Sequence, residues 1–190
     1  MSTAKHDMRT VMGHFATGVC VISTQRPDGS AVGTTANAVS SVSLEPPLLL
    51  VCLAHNSDTL AAIRTRSHFV VNVLAEHQRD HSTRFAAKGD GAKSHEVAFA
   101  RHRKHDLPYL PGALATIACR VSDIHDSGDH AIVIGQALSM SSAAHDVAPL
   151  LFFRGGYASL AGVNERSGDP SAGSRRPVRR RRVAVLERLR

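Results

Sequence analysis

A chain of 190 residues, 43% hydrophobic and 21% charged, has room for one domain with a real core and at most one tail. That balance is too apolar for a wholly disordered chain, and no apolar run approaches the roughly 20 residues of a membrane span; the longest, residues 46–54, has the length of a buried strand. The net charge of +7 belongs to the C-terminus, where residues 173–190 hold eight Arg and one Glu while residues 1–172 are neutral, so a basic partner surface on the folded part is not supported.

The polar start, Met1 to Asp7, predicts a chain without a secretory signal. Residues 5–17 predict an amphipathic helix, with Met8, Val11, Met12 and Phe15 at helical spacing and Gly18 as its stop. Residues 19–24 read as a strand, residues 26–30 as a Pro- and Gly-bearing turn, and residues 31–38 as the returning strand of a hairpin. Residues 37–47 carry many hydroxyls and little charge and are left without an element. Pro46-Pro47 leads into a strand over residues 48–53, apolar on both faces. Residues 56–59 start a helix, with candidate caps ahead of Leu60 and Ile63 and a basic last turn at Arg64 and Arg66. A strand follows at residues 69–74, then a helix at 76–86. Residues 87–106, rich in Gly, Lys and His, predict a loop. Residues 113–123 and 130–139 read as two long strands joined by a turn at 126–129, and residues 150–153 as a short last strand. From Gly162 onward Ser, Gly, Pro and Arg dominate, which predicts an Arg-rich tail outside the domain.

Six or seven closely spaced strands with few helices predict a mainly antiparallel sheet. Closure into a barrel is the natural way for it to lose its edges. Strands apolar on both faces further predict that an outer face is covered by a helix or a second subunit. Cys20, Cys52 and Cys119 are odd in number, far apart and set in apolar stretches, a pattern of buried free thiols in a reducing, cytoplasmic compartment. No paired Cys/His spacing offers a metal site.

Three segments set polar groups in apolar surroundings. In residues 34–43 small side chains allow a flat ligand close to the backbone, where N–H groups and hydroxyls can donate to carbonyl or phosphate oxygens; the plainer reading is a Ser/Thr-rich strand and turn. Residues 56–59 open a helix, whose free N–H groups and dipole attract anions; the plainer reading is simple capping, and Asp58 counts against a bare phosphate site. In Gly128-Asp129-His130 the turn accounts for Gly and Asp, and His130 is either a site residue or an exposed histidine. A Gly-rich dinucleotide loop opening a helix, a Walker-type loop and a nucleophile elbow are all missing from the sequence.

Taken together the motifs resemble a family. Phe15-Ala-Thr-Gly-Val19, then Thr35-Ala-Asn-Ala-Val-Ser-Ser-Val-Ser-Leu-Glu-Pro-Pro47, Phe69-Val-Val-Asn-Val-Leu74, Arg84-Phe-Ala86, Gly112-Ala-Leu-Ala115, Gly128-Asp-His130 and Pro149-Leu-Leu-Phe-Phe-Arg-Gly-Gly-Tyr157 are similar, in this order, to the short-chain flavin reductases of two-component monooxygenases. The resemblance runs from about residue 5 to residue 161. It implies a flavin-binding split β-barrel, Greek-key-like and antiparallel with a few flanking helices, that forms a homodimer and reduces FMN or FAD with NADH or NADPH for a separate flavin-dependent monooxygenase. It places the isoalloxazine near Thr35, Ala36, Asn37, Ala38, Ser41, Val42 and Ser43, with Cys52 and Leu53 beside them. It places phosphate near Asn56, Ser57 and Thr59, and sets Ser82, Arg84 and Phe85 at the flavin's border. The turn with Asp129 and His130 lies by the nicotinamide, with Arg154 and Tyr157 nearby.

Two stretches depart from the family pattern: residues 87–106, read as lacking the aromatic residue expected there, which leaves contacts to the flavin's tail unassigned, and the chain after Ala161. Hydride transfer between two cofactors needs no protein nucleophile, so the protein's task is to position two flat rings and exclude water. Small residues at Ala36 and Ala38 would allow the approach, and N–H groups around Ser41 would stabilise negative charge on the flavin. His130 is expected to position the nicotinamide. Two other readings compete: a split-barrel oxidase of the pyridoxamine-phosphate-oxidase type that keeps its FMN, and nucleic-acid binding through Arg175 to Arg182, against which stand the neutral body and the lack of a reading motif.

Overall fold

The computed structural model describes residues 3–87, 99–143 and 147–160. The tail predicted from residue 162, and most of the loop predicted over 87–106, lie outside them. The chain opens with α1 (Thr3–Met12) and a two-residue strand, β1 (Thr17–Gly18), then enters β2 (Cys20–Gln25), β3 (Ala31–Ala36), β4 (Val39–Leu44) and β5 (Pro47–Ala54). Helix α2 (Asp58–Arg66) leads to β6 (His68–Val73), a single 3-10 turn (Glu76–Gln78) and α3 (Arg79–Ala86). After β7 (Ala100–Arg101) and β8 (Pro108–Tyr109) come the long hairpin β9 (Ala115–Ser127) and β10 (His130–Ser142), then β11 (Leu151–Phe153) and β12 (Gly156–Ala158).

Seven strands form one sheet in the order β3-β2-β6-β9-β10-β5-β4, each pair antiparallel. Its two end strands, β3 and β4, are consecutive in the chain and only Asn37 and Ala38 separate them. Two residues reach less than about 10 Å, so the sheet must curl until its ends nearly meet. The Cys52 N–H donates to the Ala38 carbonyl at 3.0 Å across that closure. Between Ala31 and Ala36, however, β3 has no ladder partner on its outer edge among the described residues. The result is a barrel split along β3.

Alternation along the strands fills both sides of this wall. Cys20 and Ile22 of β2 point into the barrel, where they meet Leu49, Val51, Leu53, Phe69, Val71, Cys119 and Val133; α2 adds Leu60 and Ile63 to the same core. Val19 and Val21 point outward into a second cluster with Leu74, Phe85, Leu110 and Leu150, covered by α3 and the small sheet β1-β11-β12. A buried amide ties the covering segment down: Asn72 Nδ2 donates to the Val21 carbonyl and to Ser23 Oγ, both at 2.9 Å, while its Oδ1 accepts the Leu110 N–H at 2.8 Å. Ser23 Oγ in turn donates to the Pro108 carbonyl at 2.6 Å.

Several local expectations need correction. The first helix ends at Met12 rather than residue 17: the Gly13 N–H closes its last turn on the Arg9 carbonyl, and Thr17–Gly18 are drawn into pairing with β11. The hydroxyl-rich stretch left unassigned contains β4, whose Ser40 and Ser41 pair with Leu50 and Leu49. Strand β5 is not buried equally on its two faces; Leu49, Val51 and Leu53 are buried and the alternate residues half-buried. Cys52 is therefore only partly buried, unlike Cys20 and Cys119. The predicted helix 76–86 is split by its 3-10 start. Segment 87–106 also carries an aromatic that the sequence reading overlooked: the Phe99 ring lies 5.5 Å from that of Phe85.

Candidate functional site

The split opens an outward groove of about 670 Å³, a volume suited to a nucleotide-sized ligand. Its floor is β3 from Val32 to Ala36 and the turn Asn37–Ala38. One wall is the end of β5 with the start of α2 (Cys52, Leu53, Ala54 and residues 56–59), the other the end of α3 at Phe85, Ala86 and Ala87; Arg26 and His130 complete the lining.

The floor is low because its side chains are small, and it could not be raised easily. A Cβ at Gly33 would sit 3.2 Å from the Phe85 ring and 3.2 Å from the Ile22 carbonyl oxygen. Thr35 is fixed from beneath, its hydroxyl donating to the Ser82 carbonyl at 2.7 Å. At the α2 end Ser57 is the N-cap, its Oγ accepting the Leu60 N–H at 3.4 Å. The first turn of α2, with Ser57, Asp58 and Thr59, thus lines the groove at the positive end of the helix dipole.

His130 stands at the first position of β10, opposite Ala54 of β5. The Gly128-Asp129 turn that delivers it needs a left-handed residue, and Gly128 has φ of +62°. Its Nδ1 lies 2.7 Å from Asp129 Oδ1. An ionised carboxylate only accepts, so Nδ1 carries the hydrogen and the imidazole is held in one orientation.

Of the residues that the sequence singled out, Thr35, Ala36, Asn37, Ala38, Cys52, Leu53, Asn56, Ser57, Thr59, Phe85 and His130 line this one groove. Asp129 reaches it through His130. Ser82 and Tyr157 lie behind it: Ser82 is fully buried and accepts the Tyr157 hydroxyl at 2.8 Å, while Arg79 sits 4.9 Å from the Tyr157 ring centre. Arg84 rides on α3 outside the lining. Arg154 turns away into a left-handed residue (φ +49°), its N–H bonded to the Gly13 carbonyl at 2.7 Å and its guanidinium over Phe153. Ser41, Val42 and Ser43 are on β4, which runs on past the closure at Ala38, and they are outside the lining. Sequence reasoning passed over Arg26, Val32, Gly33, Ala54, Ala86 and Ala87 as site residues. The signal for Arg26 was present but indirect, since a hairpin returning along β3 must carry its tip residues to the far end of the floor.

The flavin reductase like domain matches residues 12–161. The reductase subunit HsaB of a flavin-dependent monooxygenase from Mycobacterium tuberculosis is 40% identical over 155 residues, 80% of this chain and 80% of that protein. The reductase component of the flavin-dependent trigonelline monooxygenase from Acinetobacter baylyi is 38% identical over 151 residues, and there the match spans 80% of this chain but 47% of the relative. Among solved structures, the Streptomyces globisporus NADH:FAD oxidoreductase SgcE6 in complex with NAD and FAD fragments superposes with a TM-score of 0.76 at 27% identity, covering 83% of this chain and 93% of that one. The two relatives are reductase components of flavin-dependent monooxygenases, and the structural neighbour is an NADH:FAD oxidoreductase. The chain belongs to the flavin reductase-like family.

Proposed function

We propose that this protein is an NAD(P)H-dependent flavin reductase that hands reduced flavin to a separate monooxygenase. The observation that carries the reading is the groove: an unpaired strand edge floored by Gly33, Ala36 and Ala38, with a helix N-terminus along one wall and His130 at one end, in a chain of this family. When flavin and nicotinamide are both bound, hydride passes from nicotinamide C4 to flavin N5.

The chain's own part is positional. Gly33, Ala36 and Ala38 let a planar ring approach the backbone, Thr35 and Asn37 offer polar contacts at its rim, and Phe85 forms an apolar side. Ser57 and Thr59 with the first turn of α2 would hold phosphate. His130, oriented by Asp129, would position the nicotinamide ring.

We also propose a homodimer and a cytoplasmic setting. Supporting the first, Ile134 of β10 lies opposite Leu50 of β5 on the outer face of the sheet with Ile132 on the same face, all only half-buried. Val42, Leu44 and Met140 nearby are 48%, 87% and 67% exposed. Three free cysteines suit a reducing compartment.

The test is the loss of reduced-nicotinamide absorbance with FMN or FAD as acceptor and NADH or NADPH as donor. Turnover of added flavin supports the reading. A purified yellow protein that leaves NADH and NADPH untouched overturns it in favour of an FMN-retaining oxidase.

A further inference from the structure

The groove is longer than its helix-terminal subsite requires, and its far end carries a charge that the flavin-reductase reading has not used. From Ala38 at the closure to Val32 beside the hairpin, the floor covers seven residues, Val32 to Ala36 of β3 and then Asn37 and Ala38, or about 20 Å at the rise of a strand. The opposite wall runs back along the same line. Strand β5 is antiparallel to β3, because five antiparallel steps separate them in the sheet, so Cys52, Ala54 and then Ser57 to Thr59 lie successively further from Ala38. The α2 terminus thus faces the middle of the floor. Beyond it comes Arg26.

Arg26 is the sole Lys or Arg among the described residues that line the groove, and Asp58 the sole carboxylate. The hairpin builds the position of Arg26: its N–H donates to the Ser30 carbonyl at 2.8 Å and its carbonyl accepts the Gly29 N–H at 3.0 Å. Gly29 has φ of +86°, which the turn demands. From outside the groove, Arg101 Nη2 donates to the Gly29 carbonyl at 3.0 Å and braces the tip. The Arg26 guanidinium also reaches Ser30 Oγ at 3.5 Å, and Ser30 in turn bonds Asp28 through both its hydroxyl and its N–H. The tip is ordered by these contacts while its arginine remains part of the groove wall.

A flavin mononucleotide carries one phosphate, which the first turn of α2 can hold. A flavin dinucleotide carries a second, which with the ring at the Ala38 end would lie further along the groove toward Arg26. We propose that Arg26 is a specificity-determining residue: its guanidinium meets the second phosphate of FAD and so favours the dinucleotide over FMN. The inference rests on the flavin-reductase reading and adds to it the preferred form of the substrate.

Calorimetric titration of the wild-type protein, Arg26→Ala and Arg26→Lys with riboflavin, FMN and FAD tests it. Loss of a charge-assisted contact is expected to raise the Kd for FAD about tenfold in Arg26→Ala, with Arg26→Lys intermediate. FMN and riboflavin should bind the variants within about twofold of wild type, which also shows that the variants are folded. Added salt should erode FAD affinity less in Arg26→Ala than in wild type. Equal weakening of FMN and FAD, or an unchanged FAD affinity, overturns the assignment while leaving the flavin reading intact. A wild-type protein that binds none of the three flavins overturns both.

Discussion

At the scale of single residues, His130 and the cysteines report on the groove in different ways. The His130 side chain is exposed and bonds the neighbouring Asp129, so its removal should not disturb the barrel. His130→Ala is expected to raise the KM for the reduced nicotinamide about tenfold while kcat falls by less; steady-state rates over a nicotinamide series measure this, and an unchanged KM removes His130 from the nicotinamide site. Burial pushes the Cys20 thiol up to about 11 and Cys119 up to about 12 from an ordinary value of 9.0. A raised thiol pKa means that the unfolded chain loses its protons first. These two residues therefore weaken folding as pH climbs above 9, and add no penalty below it. They also stay protonated and covered at neutral pH, whereas Cys52 is half-open and lines the groove. Alkylation of the native protein should mark Cys52 alone, and saturating FAD should slow that reaction several-fold. Labelling of Cys20 or Cys119 without denaturant, or indifference of Cys52 to flavin, contradicts the placement.

At the scale of elements, the strands carry their own explanation where periodicity was clean, and hide where tertiary pairing decided. The long β9–β10 hairpin was legible because a Gly-bearing turn separates two apolar runs; its true extent, to Ser127 and Ser142, was not, because the ends are stabilised by ladder bonds rather than by apolar side chains. The Ser57 cap and the α2 start were legible for the same local reason. Strand β4 was not: a run of serines gives no period-2 signal, and only pairing with β5 makes it a strand. The groove residues were found as three separate motifs, and it took the barrel's closure at Ala38 to bring them to one groove. Arg26 was missed because the hairpin set it at the far end of β3 without showing that β3 floors a groove. One element-level dependence follows from Gly135 of β10. A Cβ there would come within 2.5 Å of the fully buried Phe69 ring and 3.0 Å of Cys119 Cβ, and neither can move without displacing its neighbours. Gly135→Ala is expected to cost about 1–3 kcal/mol of stability through overpacking, read as a lower urea midpoint with an unchanged slope. Asn72→Ala should cost about as much, because the Leu110 N–H loses its buried acceptor when the amide goes.

At the scale of the molecule, the described chain buries the outside of β2 and β6 under its own segments but leaves the outside of β10, β5 and β4 without a layer. The two halves of the wall thus differ in what they need. Where Val21 and Val70 have Leu110 and Leu107 above them, Ile134 and Leu50 are covered only by their neighbours on the sheet. An apolar surface that continues into Leu44 and Met140 fits a second copy of the chain. Leu44 and Met140 discriminate cleanly, because at 87% and 67% exposure they contribute little to the fold of one protomer. Leu44→Glu combined with Met140→Glu should leave the urea midpoint of the isolated protomer within about 0.5 kcal/mol of wild type, yet shift the mass in light scattering from two chains to one. A wild-type protein that runs as a monomer at micromolar concentration overturns this assembly. A double variant that stays dimeric moves the interface to another face, with the exposed Met8, Val11, Met12 and Phe15 near the N-terminus the next surface to charge.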